Sequence, residues 1–228
     1  MTKIYLHPLP IRIWHWINAL GFIILIITGA QIRFGNIIHL FSFETAVDIH
    51  SWTGFILLAN YFIWLTYYLL TLKIKIYIPP LHHPIEFAKK AIRQAKFYGF
   101  GIMVGDQNPH HSTPDNKFNP MQQVSYLMIM ALLIPVQIIT GLFLWDPKFF
   151  APVVNLIGGI QIADMIHVLL FIFFSAFIIV HFYLATLGHT TMAHIVAMFS
   201  GYEEEHEEHE HGHAEEVHSN AGEHGHSH

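Results

Sequence analysis

Four histidines lie inside long apolar runs of this chain: His15 in RIWHWIN, His50 in DIHSWTG, and His167 and His181 in IHVLLFIFFSAFIIVHF. An ionisable side chain at membrane depth is costly, so each is a candidate for function. A neutral imidazole is a strong ligand for transition metals. His167 and His181 stand 14 residues apart. At helical spacing, 14 steps return to within about 40° of the starting direction and climb about 21 Å. One helix therefore offers two imidazoles on one face, near opposite sides of a hydrocarbon layer about 30 Å thick. Taken singly, a membrane histidine is more often a packing residue. Four that pair by depth argue for ligation.

The depth follows from the elements that carry them. Four apolar runs are long enough to cross a bilayer, at Ile13–Arg33, Thr45–Leu72, Met121–Trp145 and Ile160–Leu187. The expected fold is an all-α membrane protein, a four-transmembrane-helix bundle. Nine Lys and Arg flank the runs on the side of the N-terminus and the long central connection, and two (Arg33 and Lys148) on the other. The positive-inside rule then places both termini in the cytoplasm. His15 falls near the inner start of the first helix and His50 near the outer start of the second. The fourth helix runs inward, so His167 is outer and His181 inner. Depth pairs His50 with His167 and His15 with His181. Two stacked bis-histidine pairs are what two b-type haems require. Zinc would need four ligands close together instead of two separated pairs. Trp14, Trp16, Trp52, Gly54, Phe177 and Phe182 are candidate lining for the porphyrin faces.

Composition limits the alternatives. Of 228 residues, 53% are hydrophobic and 12% charged, and the mean hydropathy is +0.42. A soluble domain carries about 25% charged residues, so a soluble enzyme is excluded. Nucleic acid is a poor partner for 11 basic against 16 acidic residues. There is no cysteine, so no disulfide, thiolate-bound cluster or covalently attached haem is available. The first run has no small-residue cleavage site after it and reads as an uncleaved anchor.

Two units are expected, a helical domain over residues 1–202 and a tail over 203–228. The tail holds 8 of the 20 histidines and 9 of the 16 acidic residues, and without an apolar face it is expected to be disordered. Within the central connection, Ile85–Tyr98 has the pattern of an interfacial amphipathic helix, and a weaker amphipathic segment spans His189–Phe199. The tetrapeptide IITG occurs twice, at Ile26–Gly29 and Ile138–Gly141. Pro135 should kink the third helix.

The motifs PIRIWHWINALGFIILIITG, AVDIHSWTG, KFNPMQQ and the two histidines of the fourth helix resemble the membrane cytochrome b subunits that anchor nickel–iron hydrogenases, formate dehydrogenase-N and thiosulfate reductase. The likeness spans about Leu6–Tyr202. HVLLFIFFSAFIIVHFYLATLGHTTMAH and SGYEE look most similar to the thiosulfate-reductase-like group. The resemblance implies a dihaem cytochrome of the bacterial inner membrane, with His15, His50, His167 and His181 as axial ligands to haem iron. It also implies a menaquinone or ubiquinone site beside the inner haem. The family's Tyr-Asn-x-Gly-Gln motif reads Phe118-Asn119-Pro120-Met121-Gln122 here, so Asn119 and Gln122 are the candidates and Met121 departs from the pattern. Asn119 and Gln122 also suit a turn and a helix cap.

Arg12 and Arg33 flank the first helix, where each could meet a haem propionate or simply anchor the helix end. Asp48 and Asp164 precede two of the histidines and could orient the imidazoles or serve as helix N-terminal acids. The expected function is an electron-transfer subunit between the quinone pool and an extracytoplasmic redox partner. That partner would be an iron–sulfur or multihaem protein, as in a hydrogenase, a formate dehydrogenase or a sulfur-compound reductase. Competing readings are a divalent-metal transporter with a histidine-rich tail, and a transmembrane reductase that needs no partner. The short outer connections leave little room for the donor site that such a reductase would need.

Overall fold

The computed structural model of the protein describes residues 2–80, 82–110, 118–186 and 192–205. Four helices are long and apolar enough to cross a membrane: α1 (Leu9–Arg33), α2 (Phe43–Leu70), then α4 (Pro120–Trp145) and α6 (Ile160–Ala185). Between α2 and α4 lies the amphipathic α3 (Pro84–Lys96), packed on the start of α4. Short helices α5 (Ala151–Leu156) and α7 (Ala193–Ser200) precede and follow α6. The expectation of an all-α four-span bundle holds.

Each helix start has a local cause. Pro10 sits in the first turn of α1, where a missing N–H costs nothing. Ser42 caps α2, its Oγ accepting from the Thr45 amide at 3.1 Å. Gly158 and Gly159, both at positive φ, turn the chain into α6. Before Pro135, where a kink is expected, the helix is π-helical over Ile129–Leu133. There the Ile134 amide donates to the Ile129 carbonyl, one residue further back than in an α-helix. The next carbonyl in that pattern, Met130, would look to Pro135, which has no N–H. Tyr61 of α2 supplies the donor instead, its hydroxyl reaching Met130 O at 3.0 Å.

α1 packs chiefly on α2, and α4 on α6. Gly21 allows the first contact to be close, because a Cβ there would fall 2.6 Å from Leu57 Cδ2. Outward residues such as Leu20, Ile63 and Ile179 are apolar and 62–71% exposed, a surface suited to lipid. A core of Trp64, Tyr68, Tyr77, Ile129, Met130 and Phe174 fills the half of the bundle nearer the termini, and a smaller one of Phe143, Val154 and Ala163 the far end. Burial pushes the Tyr77 phenol well above the ordinary tyrosine value.

The termini meet at one end. Backbone strands β1 (Thr2–Tyr5) and β2 (Tyr202–Glu205) pair antiparallel, with Thr2 opposite Glu205 and Tyr5 opposite Tyr202. Glu203–Glu205, the first residues of the expected tail, thus take part in backbone pairing, which needs no apolar face. Residues 206–228, the rest of the expected tail, lie outside the described residues. Leu6 and His7 amides donate to Gly201 O at 3.0 and 3.1 Å. Trp16 Nε1 donates to Met198 O at 3.2 Å, and the Arg12 guanidinium to Phe199 O. These carbonyls are left over at the end of α7, where a cation is well placed.

Candidate functional site

The four histidines come together as two facing pairs. His15 of α1 and His181 of α6 meet at the termini end, with ring centres 6.2 Å apart. His50 of α2 and His167 of α6 meet at the far end, with ring centres 6.3 Å apart. All four are half-buried. With about 1.1 Å from each nitrogen to its ring centre and imidazole-to-metal bonds of about 2.0 Å, two imidazoles that held one metal from opposite sides would have ring centres about 6.2 Å apart. Both pairs have this separation. Among the described residues no group of three or more His, Cys, Asp or Glu is placed to hold a metal ion. The chain's own donors fit axial ligation of haem iron.

The far pair is held by neighbours on adjacent helices. Thr28 Oγ1 of α1 lies 2.9 Å from His50 Nδ1, and Thr140 Oγ1 of α4 lies 3.1 Å from His167 Nδ1. Both threonines are almost fully buried, and both donate to the carbonyl four residues back, Ile24 at 2.7 Å and Val136 at 2.8 Å. The next residue is glycine each time. A Cβ on Gly29 would stand 3.2 Å from His50 Cε1, and one on Gly141 would stand 3.2 Å from His167 Cε1. These contacts were not anticipated. The signal was present as the repeated IITG. Gln137 also reaches the pair, its Nε2 3.3 Å from His167 Nε2.

The termini-side pair has a different setting. His15 Nδ1 is buried with no hydrogen-bond partner among the described residues. Phe177 stacks on His181 at 5.8 Å, and Trp16 meets His15 edge-on at 5.2 Å. Trp14, next to His15 in sequence, meets Trp64, which meets Tyr77, which meets Phe118, through centre-to-centre steps of 6.1, 5.7 and 5.3 Å. Phe118 adjoins Asn119, so an aromatic chain runs from Trp14 to the turn before α4.

The remaining candidates fall as follows. Asn119 is buried and forms a reciprocal capping box with Gln122: its Oδ1 accepts from the Gln122 amide at 2.9 Å, and its own amide donates to Gln122 Oε1 at 3.0 Å. Asn119 Nδ2 remains free of the cap and donates to Tyr98 Oη at 3.0 Å. Arg12, one turn before His15, reaches α7 as described. Arg33 lies 3.8 Å from Asp164, an exposed pair. The imidazoles nearest Asp48 and Asp164 bond to Thr28 and Thr140. Of the expected lining, Trp16 and Phe177 contact the termini-side pair, Trp14 packs on Trp64, Phe182 lies 6.5 Å from His181, Trp52 is 71% exposed, and Gly54 faces open space.

The sequence pattern of the prokaryotic cytochrome b561 family matches residues 6–201. YdhU of Escherichia coli (strain K12), named as a cytochrome, is 33% identical over 204 residues, 88% of this chain and 74% of its own. A Rhodobacter capsulatus protein, named as a B-type cytochrome subunit of a Ni/Fe-hydrogenase, is 50% identical over 28 residues, 12% of this chain and 11% of its own. No solved structure matches the chain. The chain belongs to the prokaryotic cytochrome b561 family. It is a b-type haem electron-transfer protein that crosses the inner membrane several times.

Proposed function

As a premise drawn from that family membership, we propose that the chain binds two b-type haems and links a quinone pool to a redox partner outside the cytoplasm. The observation that carries this reading is the two pairs of facing imidazoles, at 6.2 and 6.3 Å. His15 and His181 ligate one haem, and His50 and His167 the other. Bound haem supplies one-electron transfer. The residues of the bundle hold the ligands in place, and its apolar body keeps water from the path between the two ends.

The distribution of basic residues puts the termini and α3 in the cytoplasm, with Lys89, Lys90, Arg93 and Lys96 on α3. His15 and His181 are then the inner ligands. A quinone would sit beside them, between the inner pair and the start of α4. There Tyr98 and the Asn119 amide are polar groups close to an aromatic wall, as a quinone carbonyl requires. Gln122 supports Asn119 through the cap. Arg12 sits at the same end and is the cation nearest His15 in sequence. The short outer segments after α1 and before α6 offer a docking face rather than a substrate site. A hydrogenase-like or other oxidoreductase subunit, with iron–sulfur or haem centres, is the class of partner that fits.

Purified protein should contain two haems per chain, both low-spin and both extracted by acidified acetone, since no cysteine can attach them. A menaquinol or ubiquinol analogue should reduce them. A single haem per chain, in protein that retains all four histidines and is saturated with haem, would overturn the proposal.

A further inference from the structure

We propose that Thr28 and Thr140 are paired positioning residues that fix the tautomer of His50 and His167 and lower the reduction potential of the haem these ligate. The inference rests on the two-haem reading above and adds to it a device built into the repeated IITG segments.

Each threonine hydroxyl carries a single proton. Thr28 Oγ1 donates to the Ile24 carbonyl at 2.7 Å, and Thr140 Oγ1 to the Val136 carbonyl at 2.8 Å. Each oxygen then has only lone pairs left for the imidazole 2.9 or 3.1 Å away. The imidazole must be the donor, so the proton of His50 and of His167 sits on Nδ1. Nε2 keeps its lone pair and is the nitrogen available to a metal. A polar group on the far side of a ligating imidazole sets its tautomer and orientation and makes the bound nitrogen more basic. A more basic ligand favours ferric over ferrous iron, and so lowers the potential.

The glycines complete the device. Cε1 of each ring lies 3.2 Å from the place a Cβ would occupy at Gly29 or Gly141. A side chain there would crowd the ring and draw Nδ1 away from the hydroxyl. Thr-Gly on α1 thus receives the histidine of α2, and Thr-Gly on α4 receives the histidine of α6. The same two-residue cradle occurs twice and faces one metal position from both sides. The termini-side pair has no counterpart, since His15 Nδ1 meets no hydrogen-bond partner among the described residues.

The test uses the full chain carrying both haems. Midpoint potentials and low-spin ferric electron paramagnetic resonance spectra would be recorded for Thr28→Val, Thr140→Val, and the Ser variant at each position. Each Val variant should favour the ferrous form of one haem roughly tenfold, an upward shift of about 59 mV for a one-electron couple. The resonance of that haem should move while the other stays. Ser keeps the hydroxyl and should restore both readings. The shifted haem should be the one missing from His50→Ala. Loss of this haem in the Val variants, with its retention in the Ser variants, would also support the proposal. Unchanged potentials and spectra in both Val variants would overturn it, as would equal damage from Val and Ser. A single haem in the unmodified chain would instead refute the two-haem reading itself, and a His50→Ala protein that keeps both haems would refute the assignment of His50 as a ligand.

Discussion

The two ends of the bundle hold their histidine pairs in opposite ways. At the far end the rings are gripped from behind by hydroxyls, with a glycine clearing the space beside each ring. At the termini end the rings are held by aromatic faces, and one ring nitrogen is left without a polar partner among the described residues. The spacing across each pair is nevertheless the same to 0.1 Å, 6.2 against 6.3 Å. Helix packing alone can therefore set the distance between two ligands. Orientation and protonation need an additional neighbour, and only the far end has one on both rings.

The strongest way to break the comparison is to remove ligands one at a time. His50→Ala and His167→Ala should each abolish one and the same haem, and His15→Ala and His181→Ala the other, as read from haem content and the optical spectrum. If His15→Ala and His50→Ala removed the same haem, the division into two ends would be wrong. A smaller effect should come from Gly29→Val or Gly141→Val. Overpacking against the imidazole should destabilise the fold by about 1–3 kcal/mol and weaken haem retention at the far end only. Thermal release of both haems together would show that the glycines serve general packing.

Asn119→Ala sharpens the other side of the contrast. Loss of the helix cap should cost about 1 kcal/mol and leave both haems bound, while a quinol analogue reduces them more slowly. Normal quinol kinetics at full haem content would move the quinone site away from the start of α4. The smallest effect belongs to Asp164→Asn. Its partner Arg33 is 3.8 Å away and both side chains are about half exposed, so stability should change by under about 1 kcal/mol. The far haem's spectrum should not change, because His167 leans on Thr140. A spectral shift as large as that from Thr140→Val would restore Asp164 as the orienting group.

The apolar runs, their number and the four histidines were legible because membrane depth imposes its own grammar. About twenty apolar residues make a span, and an imidazole inside one stands out. Pairing by depth needed only the direction of each helix. What could not be read was anything that depends on rotation about a helix axis. Asp48 and Asp164 are near their histidines in sequence, yet the polar contacts come from Thr28 and Thr140 on neighbouring helices at the same height. The π-helical stretch Ile129–Leu133 escaped for a related reason. Pro135 announces a disturbance, but Tyr61 of another helix supplies the hydrogen bond that completes its form. IITG was visible as a repeat, and its meaning required knowing which ring each threonine faces.

The strand pairing of Thr2–Tyr5 with Tyr202–Glu205 makes residues 2–205 almost a closed ring. Thr2 and Glu205 stand opposite each other, so a short glycine–serine bridge could join them without disturbing a helix. The ring could then be opened between α2 and α4, in the connection that carries α3. The gene would run α4 and α6 first, and α1 and α2 afterwards. Each Thr-Gly cradle and the histidine it receives would remain on one continuous hairpin, whichever half was made first. Read around the ring instead of along the chain, the far metal position is the meeting of two equivalent hairpins. His15 and His181 are where that equivalence stops: Trp64 stands 14 residues after His50 just as His181 follows His167, and Leu127 stands 13 before Thr140 just as His15 precedes Thr28.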